Sequence, residues 1–372
     1  MKSSRKPQPF SDPQRSAFQA SLLAWYDAHA RDLPWREDRD PYRVWLSEIM
    51  LQQTRVAAVI AHFHEFLWRF PTVQKLAAAR EASVLAAWSG LGYYRRARML
   101  HTTAKVIVRE HGGKFPSTAS ELLDLPGVGR YTSAAIASIA FREPVAVVDG
   151  NVERVLQRVS GRRLAGEKLW GAAEQLLDRD RPGDFNQAMM ELGATVCTPR
   201  APACLTCPVV EMCAARGEMA SSAKASPQKK REIHYALDLR DEQGSDRRVF
   251  LTQRPRNASL MGGMWELPEI TRPAGRPKKQ QVPPAGFASP RNDKIKGNGG
   301  VRRAHPDPYL TLRHSITVTN YTVRVWRTKA SARVRGEWFP VERLRGVALT
   351  GLARKILRKA EIITDHQASR II

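Results

Sequence analysis

Apolar residues recur at helical spacing between residues 14 and 30, where Phe18, Leu22, Leu23, Trp25 and Tyr26 share one face. Arg31-Asp32-Leu33-Pro34-Trp35-Arg36 interrupts that pattern. A second helix follows Pro41 through Trp45, Glu48, Leu51 and Gln52, and a mostly apolar continuation runs from Arg55 to Phe70. Residues 72–111 read as two further helices, broken at Gly90-Leu91-Gly92-Tyr93-Tyr94-Arg95-Arg96. A short helix over 118–124 meets the turn Leu125-Pro126-Gly127-Val128-Gly129, and a helix rich in small residues spans Arg130 to Phe141. Glu143-Pro144 ends it. The apolar run Val145–Val148 then leads to Asp149 and Asn151, which start a helix over 152–159, and residues 167–196 are helical again. From Ile233 the period changes to that of strands: Ile233–Leu239, Arg248–Gln253, Trp265–Leu267, Tyr309–Arg327 and Trp338–Val341, closed by a helix from Thr350 to Ile363.

Helices first and strands afterwards imply two domains. A mainly α N-terminal domain is expected over 14–219, after a disordered tail at 1–13. A basic linker over 220–232 leads to an α+β C-terminal domain at 233–366. Residues 271–306 hold nine Lys and Arg against one acid, with six Pro and five Gly, and are expected to be a disordered basic insertion.

Charge narrows the partner. Sixty Lys and Arg face 36 Asp and Glu, a formal charge of +24, so a polyanion such as nucleic acid is expected. No 18-residue apolar run offers a membrane span, and Met1–Pro13 lacks the apolar core of a secretory signal, so a cytoplasmic location is expected. With no sustained heptads, a monomer is expected. All four cysteines fall within 197–213, as Cys197-x6-Cys204-x2-Cys207-x5-Cys213. A disulfide framework would scatter them; four thiolates in one loop suit an iron–sulfur cluster or zinc, and spacing alone does not separate the two.

Four places carry candidate chemistry. Glu48 lies in the apolar stripe of Val44, Trp45 and Leu51; burial there would raise its pKa and keep a proton near neutrality, whereas pairing with Arg55 or solvation would leave it ordinary. The turn at Gly127 and Gly129, with Arg130 beyond it, points amides and a helix N-terminus outward, an anion site indifferent to base sequence. Asp149 is placed to cap the following helix, which does not exclude catalysis. Tyr93 and Tyr94 beside two arginines suit stacking on bases and contacting phosphates, or packing on the core.

Together, Leu-Pro-Gly-Val-Gly-Arg130, Val-Asp149-Gly-Asn-Val and the cysteine spacing resemble the helix-hairpin-helix DNA glycosylase superfamily. Trp45-Leu-Ser-Glu-Ile-Met-Leu-Gln-Gln-Thr54 and Gly90-Leu-Gly-Tyr-Tyr94 narrow the resemblance to the MutY-type adenine DNA glycosylases, closely over 14–215 and more loosely beyond. The resemblance implies double-stranded DNA carrying adenine opposite 8-oxoguanine or guanine as substrate. It also implies base excision repair on the bacterial nucleoid and one 4Fe-4S cluster held by Cys197, Cys204, Cys207 and Cys213. By the same resemblance Glu48 is the acid and Asp149 the carboxylate that stabilises an oxocarbenium-like sugar, with Tyr131 and Asn151 orienting them. Arg31, Trp35, Leu51 and Val56 would line the adenine pocket, and Gln53 and Tyr93 would wedge into the duplex. The bifunctional endonuclease III branch carries a lysine where this chain has Tyr131, so a monofunctional enzyme is implied. Gln253-Arg-Pro255 and Leu260–Pro268 resemble the Nudix-like domain that reads 8-oxoguanine in this family, without the glutamate-rich helix of Nudix hydrolases. Where the family carries Phe-Ser-His, this chain has Ile316-Thr317-Val318; Thr317 keeps a hydroxyl for a DNA contact, and the aromatic and histidine are absent. Two other readings remain open: a thymine or uracil mismatch glycosylase of the same superfamily, and a DNA-binding module without chemistry.

Overall fold

The computed structural model describes residues 11–217, 229–240, 246–258, 260–272, 307–316 and 319–363. The chain separates into two compact units, Met1–Lys224 and Ala225–Ile372.

Eleven helices make up the described part of the first unit: α1 (Asp12–His29), α2 (Pro41–Leu51), α3 (Val56–Arg69), α4 (Val73–Ala78), α5 (Glu81–Ala87), α6 (Arg95–His111), α7 (Ala119–Leu123), α8 (Arg130–Phe141), α9 (Gly150–Ser160), α10 (Glu167–Leu176) and α11 (Pro182–Thr195). Three expectations need correction. Helix α1 opens inside the supposed tail, because the Ser11 amide donates to Gln14 Oε1 (3.0 Å) and Pro13 suits a first turn. Residues 72–111 form three helices, since Ala79 and Arg80 are extended and Arg80 starts α5 afresh. The stretch 167–196 is two helices, because Leu177 turns extended and Pro182 restarts the chain in α11.

Helix α8 is central. Its buried Ser133, Ala134, Ala135, Ala137 and Ser138 let α2, α7 and α11 approach closely. Asn186 of α11 ties the segment before Asp149 to this frame. Its Nδ2 donates to Ser138 Oγ (2.9 Å) and Val145 O (2.9 Å), and its Oδ1 accepts from Val147 N (3.1 Å). The core under α1, α9, α10 and α11 is built from Phe18, Leu22, Val155, Leu176, Phe185 and Leu192.

The second unit holds β1 (Lys229–Leu237), β2 (Leu239–Arg240), β3 (Arg248–Gln253), β4 (Trp265–Glu266), β5 (Leu310–Ile316), β6 (Thr319–Arg327), β7 (Glu337–Pro340) and α12 (Gly351–Lys359). One sheet has the order β1-β6-β5, with β1 parallel to β6, and the antiparallel β5–β6 pair divides the expected Tyr309–Arg327 strand. In the other, β3 pairs with β2, β4 and β7. Strand β1 starts at Lys229, inside the supposed linker 220–232, because Lys229–Glu232 pair with Thr319–Thr322. Leu352, Ala353, Ile356 and Leu357 of α12 pack on Val249, Leu251, Val323 and Val325. Residues 1–10, 218–228, 273–306 and 364–366 of the expected tail, linker, insertion and domain end lie outside the described residues, as does Thr317. Among the described residues, no helix is long and apolar enough to cross a membrane.

Asn186→Ala would strip partners from the part-buried Val145 carbonyl and the buried Val147 amide. A loss of about 2–3 kcal/mol is expected in the urea unfolding of the first unit. An unchanged midpoint would remove Asn186 from the frame.

Candidate active site

Helices α2, α8, α9 and α11 converge on a cleft of about 520 Å³. Nine of the sequence-derived site residues line it: Arg31, Trp35, Glu48, Leu51, Gln53, Val56, Tyr131, Asp149 and Asn151.

Glu48 is buried on α2, and its partner is Tyr131 of α8, whose hydroxyl donates to Glu48 Oε2. Arg55 instead lies exposed at the start of α3, so the alternative of a Glu48–Arg55 pair fails. Burial is the largest influence on Glu48 and pushes its pKa up. The Tyr131 bond pulls it down, the charge of Asp149 raises it and Arg36 lowers it; the outcome is about 7, against an ordinary 4.5. Burial first, then the charges of Glu48 and Asp149, raise Tyr131 as well, so its hydroxyl keeps its proton and stays a donor.

Asp149 caps α9 and keeps a face on the cleft. Its Oδ1 accepts from the amides of Asn151 (2.8 Å) and Val152 (2.7 Å), and its Oδ2 accepts from Asn151 Nδ2 (2.9 Å). The capping alternative is therefore correct and compatible with a reactive role. Asn151 is fixed in turn. Its Oδ1 accepts from Arg154 Nη2 (2.8 Å), and Arg154 also donates to Gly193 O (2.6 Å) and Cys197 O (2.8 Å). A Cβ on Gly193 would lie 2.6 Å from Asn151 Cβ, so only glycine lets α11 pass this close.

Glu191 has no role in the sequence reading, yet it lines the same cleft and is 1% exposed. Arg31 grips it through Nε (2.5 Å) and Nη2 (2.9 Å), and Arg36 Nη2 adds a third bond (2.9 Å). Burial would raise its pKa, but the two guanidiniums outweigh burial and hold it below the usual carboxylate range. The available signal was a glutamate between Met190 and Leu192 on a buried helix face, the same kind of placement that singled out Glu48.

A second groove, of about 350 Å³, is lined by Gln53, Tyr93, Arg96, Met99 and Gly127 among others. Gln53 borders both grooves. The tyrosine pair divides: Tyr94 packs in the core, and Tyr93 is 52% exposed. Gly127 makes its turn at φ +75°, and Gly129 caps α8 with no side chain, leaving the first-turn amides for an outside acceptor. Arg130, next to this turn, has two partners. It pairs with Glu167, and its guanidinium lies 4.0 Å from the Trp170 ring centroid.

The four cysteines form no disulfide and line one small cavity at the end of α9. Arg158 Nη1 approaches Cys197 Sγ (3.3 Å) while donating to Thr198 O (2.7 Å), and the amides of Ala214 and Ala215 donate to Val159 O and Arg158 O (3.0 Å each). Among the described residues, no group of three or more His, Cys, Asp or Glu side chains is placed to hold a single metal ion.

As for known proteins, residues 46–169 match the family described as HhH-GPD superfamily base excision DNA repair protein, and residues 240–359 match the NUDIX domain. The chain is 43% identical over 316 residues to the adenine DNA glycosylase of Homo sapiens, covering 69% of this chain and 58% of that protein. It is 45% identical over 217 residues to the adenine DNA glycosylase of Mycobacterium tuberculosis (strain CDC 1551 / Oshkosh), covering 56% of this chain and 71% of that protein. The chain thus spans little more than half the length of the human relative. Among solved structures, a thermostable thymine-DNA glycosylase superposes with a TM-score of 0.53 at 31% identity, covering 55% of this chain and 97% of that one.

The raised pKa of Glu48 has a stability consequence of definite sign. Between about pH 4.5 and 7 the unfolded chain loses this proton while the folded one keeps it, so the wild type loses stability as pH rises through that window. Glu48→Gln is therefore expected to match the wild type below pH 4.5. Its advantage should grow to the order of 2–3 kcal/mol by neutral pH, read from urea unfolding across a pH series. A difference that does not vary with pH would sink the assignment.

Proposed function

Because this chain belongs to the MutY-type adenine DNA glycosylase family, within the helix-hairpin-helix base excision repair superfamily, we propose that it removes adenine mispaired with 8-oxoguanine or guanine in double-stranded DNA, acting as a monomer. The observation that carries this reading is the pair of unlike carboxyls on one cleft: Glu48, able to hold a proton near neutrality, and Asp149, bonded through three N–H groups.

The adenine must leave the stack to reach this cleft, since the sugar carbon is shielded within a duplex. Arg31, held by Glu191, together with Trp35, Leu51 and Val56, forms the wall against which the base rests. Glu48 gives its proton to a ring nitrogen and makes adenine a neutral leaving group, with Tyr131 holding the carboxyl in place. As the glycosidic bond breaks, the sugar becomes cationic. The Asp149 carboxylate faces that charge, and Asn151 and the α9 amides keep it from collapsing away. Water completes the hydrolysis. Tyr131 stands in the cleft, and among the described residues lining it none is a lysine, in keeping with a monofunctional enzyme that forms no Schiff base to the sugar. The amides after Gly129 would grip a backbone phosphate, and Gln53 and Tyr93 would fill the gap left in the duplex.

The cysteines fit a 4Fe-4S cluster. All four line one cavity, and Arg158 offers an N–H to Cys197 Sγ. When bound, the cluster would supply structure, tying the 197–213 loop to the end of α9. The Nudix-like unit would read the base opposite adenine, and Thr317 would offer its hydroxyl there.

The test is single-turnover base release from duplexes carrying adenine opposite 8-oxoguanine, adenine opposite guanine, or thymine opposite guanine, with and without alkali. Adenine release with strand breaks only after alkali is expected; thymine release alone would overturn the reading in favour of a thymine glycosylase. Glu48→Gln should slow adenine release by about 10²–10⁴-fold, and the wild-type rate should fall as pH rises past about 7, where Glu48 loses its proton. Asp149→Asn should be inert yet bind DNA; equal inertness of the wild type would leave a binding module. Purified protein should absorb at the blue edge of the visible and lose that band on chelation; a colourless zinc protein would reject the cluster.

A further inference from the structure

Gln53 and Tyr93 share an uncommon backbone state. Their φ values are +56° and +47°, in the left-handed region that L-residues with a Cβ disfavour by about 1–2 kcal/mol. Both are exposed, and neither is a glycine that would adopt this state freely. Something outside the two residues must hold them.

Arg96, on the first turn of α6, touches both loops. Its Nη1 donates to the carbonyls of Ile49 (2.8 Å), Met50 (2.9 Å) and Gln52 (2.6 Å), at the C-terminal end of α2. Its Nη2 donates to Thr54 Oγ1 (3.0 Å) and to the carbonyls of Leu91 and Gly92 (3.3 Å each). The bonded residues therefore flank Gln53 on both sides and precede Tyr93 directly. The guanidinium carbon sits 5.3 Å from the Trp88 ring centroid and 5.7 Å from that of Tyr93. All six acceptors are neutral oxygens, and the last carbonyls of α2 have no further helical turn to satisfy them. Burial pulls the Arg96 pKa down to about 10, so the group is still a cation at neutral pH. A planar fork can reach two loops at once; a lysine ammonium is a single point and cannot.

We propose that Arg96 is a positioning residue that locks Gln53 and Tyr93 into the posture from which they enter the duplex, a role that rests on the reading of those two side chains as the wedge. The bridge joins the end of α2 to the turn before α6, so the two wedge residues keep a fixed separation before DNA arrives. Arg96 touches no reacting atom and acts only through them.

The experiment uses the full-length chain and a duplex with 2-aminopurine next to the adenine mispair, reading fluorescence on binding and single-turnover base release. Arg96→Lys is expected to blunt the fluorescence rise and to slow release by the order of 10-fold or more. Far-ultraviolet circular dichroism and the DNA dissociation constant report whether the variant remains folded and bound. Tyr93→Ala and Gln53→Ala should each lower the same two signals. Adding Arg96→Lys to the double Gln53→Ala, Tyr93→Ala variant should then produce almost no further loss. Full additivity, or Arg96→Lys behaving as wild type while the wedge variants fail, would overturn the role. Should Arg96→Lys not fold, Thr54→Val removes one of the six acceptors and is expected to lower the fluorescence rise in the same direction; no change there would likewise overturn it. If the wild type unstacks no base, or the wedge variants match it, the wedge reading itself fails, a different outcome from failure of Arg96.

Discussion

The hydrogen bond from Tyr131 to Glu48 is the contact on which the cleft depends. It joins α2 to α8, and it binds an acid that burial alone would push further from its ordinary range. The two effects oppose each other, and the balance is useful: a carboxyl stabilised too well by partners would be ionised and unable to give a proton, and one buried with no partner would destabilise the fold. A tyrosine suits this position because it donates a proton and resists losing its own. Under the proposed function, a tyrosine here also leaves no amine to divert the sugar into a Schiff base. One side chain therefore sets both the protonation of the acid and the reaction class the family resemblance implies.

Much of this arrangement was legible in the chain. Helical periodicity placed Glu48 on a buried stripe, the paired glycines marked the hairpin, and four clustered cysteines marked the loop after α11. What remained hidden were long-range contacts. Glu191 lies 160 residues from Arg31, and no local pattern shows that two arginines hold it. Arg130 stands after the hairpin, and its contacts with Glu167 and Trp170 come from α10, which local pattern does not show. The added breaks at Ala79–Arg80 and at Leu177–Arg181 were missed for a related reason: apolar residues continue across these short breaks, so the sequence reads as continuous where the chain bends.

The remote parts of the first unit are connected to the chemistry by polar contacts as well as packing. Arg154 reaches from the carbonyl of Cys197 to the amide side chain of Asn151, which holds Asp149. Asn186 secures the segment that enters this turn. The loop that carries the cysteines is therefore two hydrogen-bonded side chains away from the carboxylate, and a shift of that loop has a short mechanical route into the cleft.

Asp149 caps α9 and, under the proposed function, is also the reactive carboxylate; the capping needs only an acceptor oxygen. An asparagine could cap nearly as well. Cells remove damaged proteins chiefly by sensing how often they unfold. Under the proposed function, a chain altered at this position would pass that inspection, persist at normal abundance, and occupy mispairs it could not clear. The dual use proposed for one carboxylate would therefore let an error here go unseen by quality control and shield the lesions on which the proposed activity acts.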